Sequence, residues 1–140
     1  MPASATHIYR RHIRFADTDA AGVAHFSRLL VIIEEAVHDF FQSRGVPIID
    51  AATAWPVVSI HADYSAACRF QDEITVSLCM DKTGTSSLGF SFTAAKADGN
   101  ACFGGKVTLC HIDPALHAPA PIPAKTRHAL GESLNGESID

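Results

Sequence analysis

The sequence predicts an α+β fold in which a curled antiparallel sheet wraps around one long helix. Three observations carry this. One strand-like segment comes first, at 7–16; an apolar run with helical spacing follows from Phe26 to Phe41; and four strand-like segments then succeed one another between Trp55 and Ile112. A single helix cannot cover two sheet faces, so the sheet has to curl around it.

The first segment, "HIYRRHIRFA", alternates Ile8, Ile13 and Phe15 with basic residues, as suits a strand with one face toward solvent. After a turn from Asp17 to Gly22, apolar residues recur at Phe26, Leu29, Leu30, Ile33, Val37, Phe40 and Phe41. Arg28, Glu35, His38 and Gln42 fall on the other side, and Val31, Ile32 and Ala36 widen the apolar arc until most of the helix must be wrapped. Gly45 and Pro47 end it. The later strands are expected at 55–67, 72–81, 86–97 and 101–112, with "ADGN" at 97–100 as a tight hairpin. Gly104 and Gly105 form no phosphate loop and suit a bulge or a close strand approach. Prolines at 114, 119, 121 and 123 exclude a central strand and suggest an extended surface strap.

With 140 residues, 47% hydrophobic and 19% charged, the chain can build one well-buried core and is too short for two ordinary domains. The expected division is a domain at 1–127 and a polar tail at 128–140. A net charge of −4 offers no global basic field for nucleic acid or an anionic membrane surface. No run approaches the ~18 apolar residues of a membrane helix, so a soluble protein is expected. Cys68, Cys79, Cys102 and Cys110 form no C-x-x-C pair and no basic-then-apolar leader precedes them, which points to reduced thiols in the cytoplasm.

The stretch that asks for a chemical reason is "FADTDAAGVAHF", Phe15 to Phe26, with two acids just ahead of a glycine turn and the helix. Each has a structural explanation, since Asp is favoured at helix N-caps and in Asx turns. Asp17 reads as a turn-stabilising residue whose loss costs about 1 kcal/mol if it caps the turn. If both acids were buried on one face, like charge would raise one of the two pKa values.

These residues, with "WPVVSIHADYSA" from Trp55, resemble the hotdog-fold thioesterases of the 4-hydroxybenzoyl-CoA thioesterase type, and within them the 1,4-dihydroxy-2-naphthoyl-CoA thioesterases. The resemblance covers roughly residues 8–123. It implies an acyl-CoA thioesterase that prefers an aromatic acyl group, needs no cofactor or metal, and forms a homodimer that goes on to a homotetramer with sites between subunits. By the same resemblance Asp19 is the catalytic carboxylate, acting as nucleophile or as general base, and the main-chain N–H of Phe26 is the oxyanion donor. A helix start suits that second role because its free N–H groups and partial positive charge polarise a carbonyl.

His25 stands where related motifs have a large aromatic residue; it either lines the pocket or simply begins the helix. Phe26, Trp55 and Tyr64 are placed to enclose a ring, although each singly also suits the core. At 81–87, where some aryl-CoA relatives carry a basic cluster for the nucleotide phosphates, only Lys82 remains, leaving Ser86, Ser87 and backbone N–H groups to substitute in part. Glu34 and Glu35 are the alternatives to Asp19, because another hotdog branch uses a helix glutamate. Glu35 and His38 have the E-x-x-H spacing of di-iron bundles, but such sites recruit four helices and a solvated helix face explains them. The remaining histidines, His61, His111 and His117 among them, lack metal-ligand spacing. The competing functions are hydrolysis of an aliphatic acyl-CoA or an acyl carrier protein thioester, a hotdog dehydratase or hydratase, and a non-catalytic acyl-CoA-binding module.

Overall fold

The computed structural model describes residues 6–131. Its elements are β1 (His7–His12), a 3-10 turn (Phe15–Asp17), α1 (Phe26–Ser43), β2 (Val57–Tyr64), β3 (Glu73–Thr83), β4 (Ser87–Lys96) and β5 (Ala101–Cys110). A short hairpin, β6 (Ile112–Asp113) with β7 (Ala118–Pro119), and the helix α2 (Ala124–Ala129) complete it. The five long strands form one antiparallel sheet in the order β1-β3-β4-β5-β2.

Helix α1 buries Leu29, Ile32, Ile33, Ala36, Val37, Phe40 and Phe41, the recurrence that a 3.6-residue period imposes on one broad face. The sheet answers with the period of two: Ile74, Val76, Leu78 and Met80 on β3, Phe90, Phe92 and Ala94 on β4, Val107 and Leu109 on β5. Each large side chain removed from water in this way contributes roughly 1.5–3 kcal/mol. Register shifts at Val57/Ser59, Met80/Lys82 and Ala94/Ala95 add the local bend and twist that a sheet needs to wrap a helix.

The two sheet edges differ. β2 exposes Val57, Val58, Ile60 and Tyr64. Its inner side lies so close to β5 that a Cβ on Gly105 would sit 1.8 Å from the His61 carbonyl oxygen, which explains the bare backbone there as a close strand approach.

Two expectations are revised. The first strand ends at His12, because Ile13 N–H turns to the Asp72 carbonyl (2.9 Å) and the chain enters the 3-10 turn. The strap contains the β6–β7 hairpin and leads into α2, with Ile122 and Leu130 buried; the boundary expected at 127/128 thus falls inside α2. Residues 132–140 of the expected tail lie outside the described residues.

Candidate active site at the start of the long helix

The segment between β1 and α1 is built as two consecutive turns. In the first, Asp17 N–H donates to Arg14 O (2.9 Å) and Thr18 N–H to Phe15 O (3.0 Å). In the second, Gly22 N–H donates to Asp19 O and Asp19 N–H to Val23 O, both 2.9 Å, while Thr18 bridges Ala24. Gly22 closes this miniature hairpin at φ +80°, a conformation that favours glycine.

The two acids are not buried together. Asp17 is 1% exposed. Its Oδ1 accepts from Arg28 Nε (3.0 Å), and its Oδ2 accepts from Arg14 N–H (2.8 Å) and from Arg11 Nη2. Burial alone would raise its pKa, but the Arg14 N–H, Arg28 and Arg11 outweigh that and hold the carboxyl below its ordinary range. Its carbonyl also accepts His25 N–H at 2.9 Å, so Asp17 ties both turns to the helix start. The turn-building expectation for Asp17 therefore understates it: this is a buried ion cluster.

Asp19 is exposed. Its Oδ1 accepts Ala21 N–H at 2.9 Å, an Asx turn, and its Oδ2 has no partner among the described residues. The backbone beneath it is fixed at both ends by the hairpin bonds, so a free carboxylate oxygen stands on a rigid support.

His25 is the N-cap of α1. Its Nδ1 accepts Ser27 N–H at 3.2 Å and lies 2.8 Å from the Ser27 hydroxyl, which leaves the proton of the neutral ring on Nε2. Its ring lies against that of Phe26, centroids 4.5 Å apart at 30°. Phe26 is 59% exposed, and its N–H, at the first helical position, donates to no group among the described residues.

Tyr64 belongs to the same end of the molecule. It pairs with Phe103, and the chain beyond it reaches Cys68, whose carbonyl accepts Ala24 N–H at 2.7 Å. Burial raises the Tyr64 hydroxyl above its usual range. Burial, then the neighbouring Cys102, pushes the Cys68 thiol up to about 12, so it stays protonated and is no nucleophile.

Trp55 and Ser86 lie at the opposite end. Trp55 is 5% exposed and packs edge-on against Phe41 (5.2 Å) and at a tilt of 56° against His111 (4.9 Å). Phe41 is about 22 Å along α1 from Phe26, at ~1.5 Å per residue. The Ser86 carbonyl accepts His111 N–H at 2.6 Å in the same region. Within one chain, then, His25 and Phe26 stack at the start of α1 and Asp19 stands on the turn just before it, Tyr64 ends the strand whose chain runs on to Cys68 beside that turn, and Trp55 and Ser86 lie far from all four.

The alternative acids have other roles or places. Glu35 is not on a solvated face: Arg11 Nη1 donates to both its oxygens at 2.8 Å and Tyr9 OH donates at 2.8 Å. Glu34 and His38 are exposed along the helix. Among the described residues no group of three His, Cys, Asp or Glu side chains could hold a metal ion. No helix among them is long and apolar enough to cross a membrane.

Sequence reading missed Arg11 and Arg28 at the Asp17 cluster and Arg127, which α2 brings onto the 81–87 loop to donate to the carbonyls of Gly84 and Thr85. No periodic pattern marks such pairs. The one available signal was the crowding of Arg10, Arg11, Arg14 and Arg28 around two acids.

Comparison with known proteins identifies the family and the fold. The pattern of the thioesterase-like superfamily matches residues 13–130. A 1,4-dihydroxy-2-naphthoyl-CoA hydrolase of Nostoc punctiforme is 30% identical over 94 residues, covering 64% of each chain, so under two thirds of that relative's length is spanned. One from Synechococcus elongatus is 26% identical over 133 residues, 87% of this chain and 93% of its own. The crystal structure of a 1,4-dihydroxy-2-naphthoyl-CoA thioesterase from Synechocystis superposes with a TM-score of 0.82 at 24% identity, over 90% of this chain and 96% of that one, which establishes the hotdog architecture.

Proposed function

Because the chain belongs to the thioesterase-like superfamily, we propose that it hydrolyses an acyl-CoA thioester to the free acid and CoA, with an aromatic acyl group such as dihydroxynaphthoyl or hydroxybenzoyl preferred. The observation that carries this is the pairing, on one rigid segment, of the exposed Asp19 carboxylate with the unpartnered Phe26 N–H.

In this reading the thioester carbonyl oxygen accepts the Phe26 N–H at the positive end of the α1 dipole, which stabilises the charge that develops as the carbonyl carbon is attacked. Asp19 acts from the other side. Either its Oδ2 attacks the carbon, the CoA thiolate leaves, and water then cleaves the mixed anhydride, or it takes a proton from a water that attacks instead. His25, Phe26 and Tyr64 supply aromatic surface for the acyl ring.

The exposed apolar β2 edge supports pairing with a second copy into a homodimer, a step toward a homotetramer. An antiparallel β2–β2 contact would set the Val57 end of one copy beside the Tyr64 end of the other. Ser86 of one chain would then approach the Asp19 end of its partner, whereas Trp55, sealed against Phe41 and His111, stays in the core of its own chain. Sedimentation of a fully active monomer at micromolar concentration would rule this assembly out. Four free cysteines fit a reducing, cytoplasmic setting.

The Asx turn made by Asp19 favours a second reading, a non-catalytic acyl-CoA-binding module in which Asp19 only shapes the loop. Thiol release from a panel of acyl-CoAs separates the two. Hydrolysis of aryl-CoA with higher kcat/KM than palmitoyl-CoA is expected. The reverse order overturns the aryl preference, and binding without thiol release overturns the hydrolase.

A further inference from the structure

Asp17 holds two guanidiniums with one carboxylate, and one of them, Arg11, is 7% exposed. Arg28 is 41% exposed and shares its charge with water, whereas Arg11 is sealed and meets a second anion from an unexpected place. Glu35, in the middle of α1, takes Arg11 Nη1 on both oxygens at 2.8 Å and is itself steadied by Tyr9 OH at 2.8 Å. The set Tyr9, Glu35, Arg11, Asp17 and Arg28 thus balances two cations against two carboxylates. It runs from mid-helix across β1 and back to the first turn of the same helix, clamping α1 at two points.

We propose that Glu35 is a positioning residue for hydrolysis: by orienting Arg11 it fixes the Asp17 segment, and with it the separation between the Asp19 carboxylate and the Phe26 N–H. The inference rests on the reading of those two groups as the reacting pair. Held at Nη1 by Glu35, at Nη2 by Asp17 and at Nε by the His12 carbonyl (3.2 Å), the planar guanidinium has three anchors that fix its orientation, which a single bond does not. Without Glu35, Arg11 keeps only its Asp17 and His12 contacts, the Asp17 segment loses its fixed support, and the His25 N–H bond to the Asp17 carbonyl (2.9 Å) loosens at the point where the helix begins. Glu35 does not act on the substrate itself. Both of its oxygens are engaged, and it lies about 13 Å along the helix from Phe26 at ~1.5 Å per residue.

The test uses the full chain with Glu35→Gln, Glu35→Leu and the control Tyr9→Phe. Hydrolysis of an aryl-CoA is measured well below each variant's melting temperature, and amide hydrogen exchange is followed across 17–26. In both Glu35 variants kcat should fall between about 10- and 100-fold with KM unchanged, as for a misplacement near 1 Å. Exchange at the His25 amide should quicken, and Tyr9→Phe, which keeps the grip on Arg11, should stay within about twofold in kcat. Should Glu35→Leu not fold, Glu35→Gln decides, since it keeps the shape and one acceptor. Unchanged kcat, a rise in KM alone, or lost turnover with His25 exchange unaltered overturns the proposal. If the natural protein releases thiol from no acyl-CoA, the hydrolase reading has failed, and the exchange result by itself judges the clamp.

Discussion

In the 3-10 turn after β1, Asp17 accepts from Arg11, Arg28 and Arg14 N–H and is sealed from water, whereas in the turn two residues on Asp19, among the described residues, accepts only Ala21 N–H and keeps one oxygen exposed. The side chains are identical, so the contrast is made entirely by surroundings. A buried carboxylate with both oxygens engaged is held in its charged form and is chemically spent on structure. One with a rigid backbone and a free oxygen is available to a substrate.

The comparison breaks most sharply if the two acids exchange consequences on mutation. Asp19→Asn should lower turnover roughly 10²–10⁴-fold, because the charge of a nucleophile or base is lost. Its melting temperature should hardly move, since Asn retains the oxygen that accepts Ala21 N–H. Steady-state hydrolysis beside thermal melting checks both halves, and near-normal turnover would transfer the role to Glu34, an exposed acid of α1.

Asp17→Asn should do the opposite. Removing one partner from a buried ion cluster costs about 3–5 kcal/mol, well above the 1 kcal/mol or so of a simple cap. Calorimetry should show the melting temperature lowered by roughly 10–20 °C for a domain of this size. A drop of only a few degrees would mean that Arg11 and Arg28 find other partners.

Phe26→Pro sharpens the other half of the site. Proline is tolerated at the first helical position, where the N–H has no intrahelical partner, so the helix survives while the donor disappears. Measured against Phe26→Ala, which controls for the ring, turnover should fall a further 10²-fold or so. Equal rates in the two variants would remove Phe26 N–H from the mechanism.

The smallest effect lies in pH. The Asp17 carboxyl is held below its ordinary range in the folded chain, so its contribution to stability is complete above the ordinary carboxylate pKa of about 4 and is lost as pH falls through the lower folded value. The stability gap between the natural chain and Asp17→Asn should therefore be flat near neutrality and shrink in acid. Denaturant midpoints across that range would show it, and a gap independent of pH would mean that shape rather than charge sets the cost.

Much of this was legible in the linear chain. The run from Phe26 to Phe41 and the alternation through β3 to β5 are local patterns, and both elements formed where expected, with α1 ending at Ser43 ahead of Gly45. The strand after residue 12 was overextended because Ile13 and Phe15 keep the alternation going while the backbone is already bonded to Asp72 and Gln71. Helix α2 went unseen because six residues behind three prolines carry too few apolar positions to show a period. Trp55 looked equally suited to a pocket or a core, since aromatic character alone does not say which neighbours it will meet; the fold seats it on Phe41.

What the sequence by itself determined is the order of elements, the wrapped helix and the position of an acidic turn at its start, because periodicity, turn chemistry and capping act over a few residues. Which acid would be buried was decided only by tertiary structure. The partners of Asp17 lie 6 residues before it and 11 after, and the anion that completes the cluster lies 24 residues from Arg11. Separations of that kind close only when β1 packs across α1, and the desolvation that makes such pairs matter exists only once the core has formed.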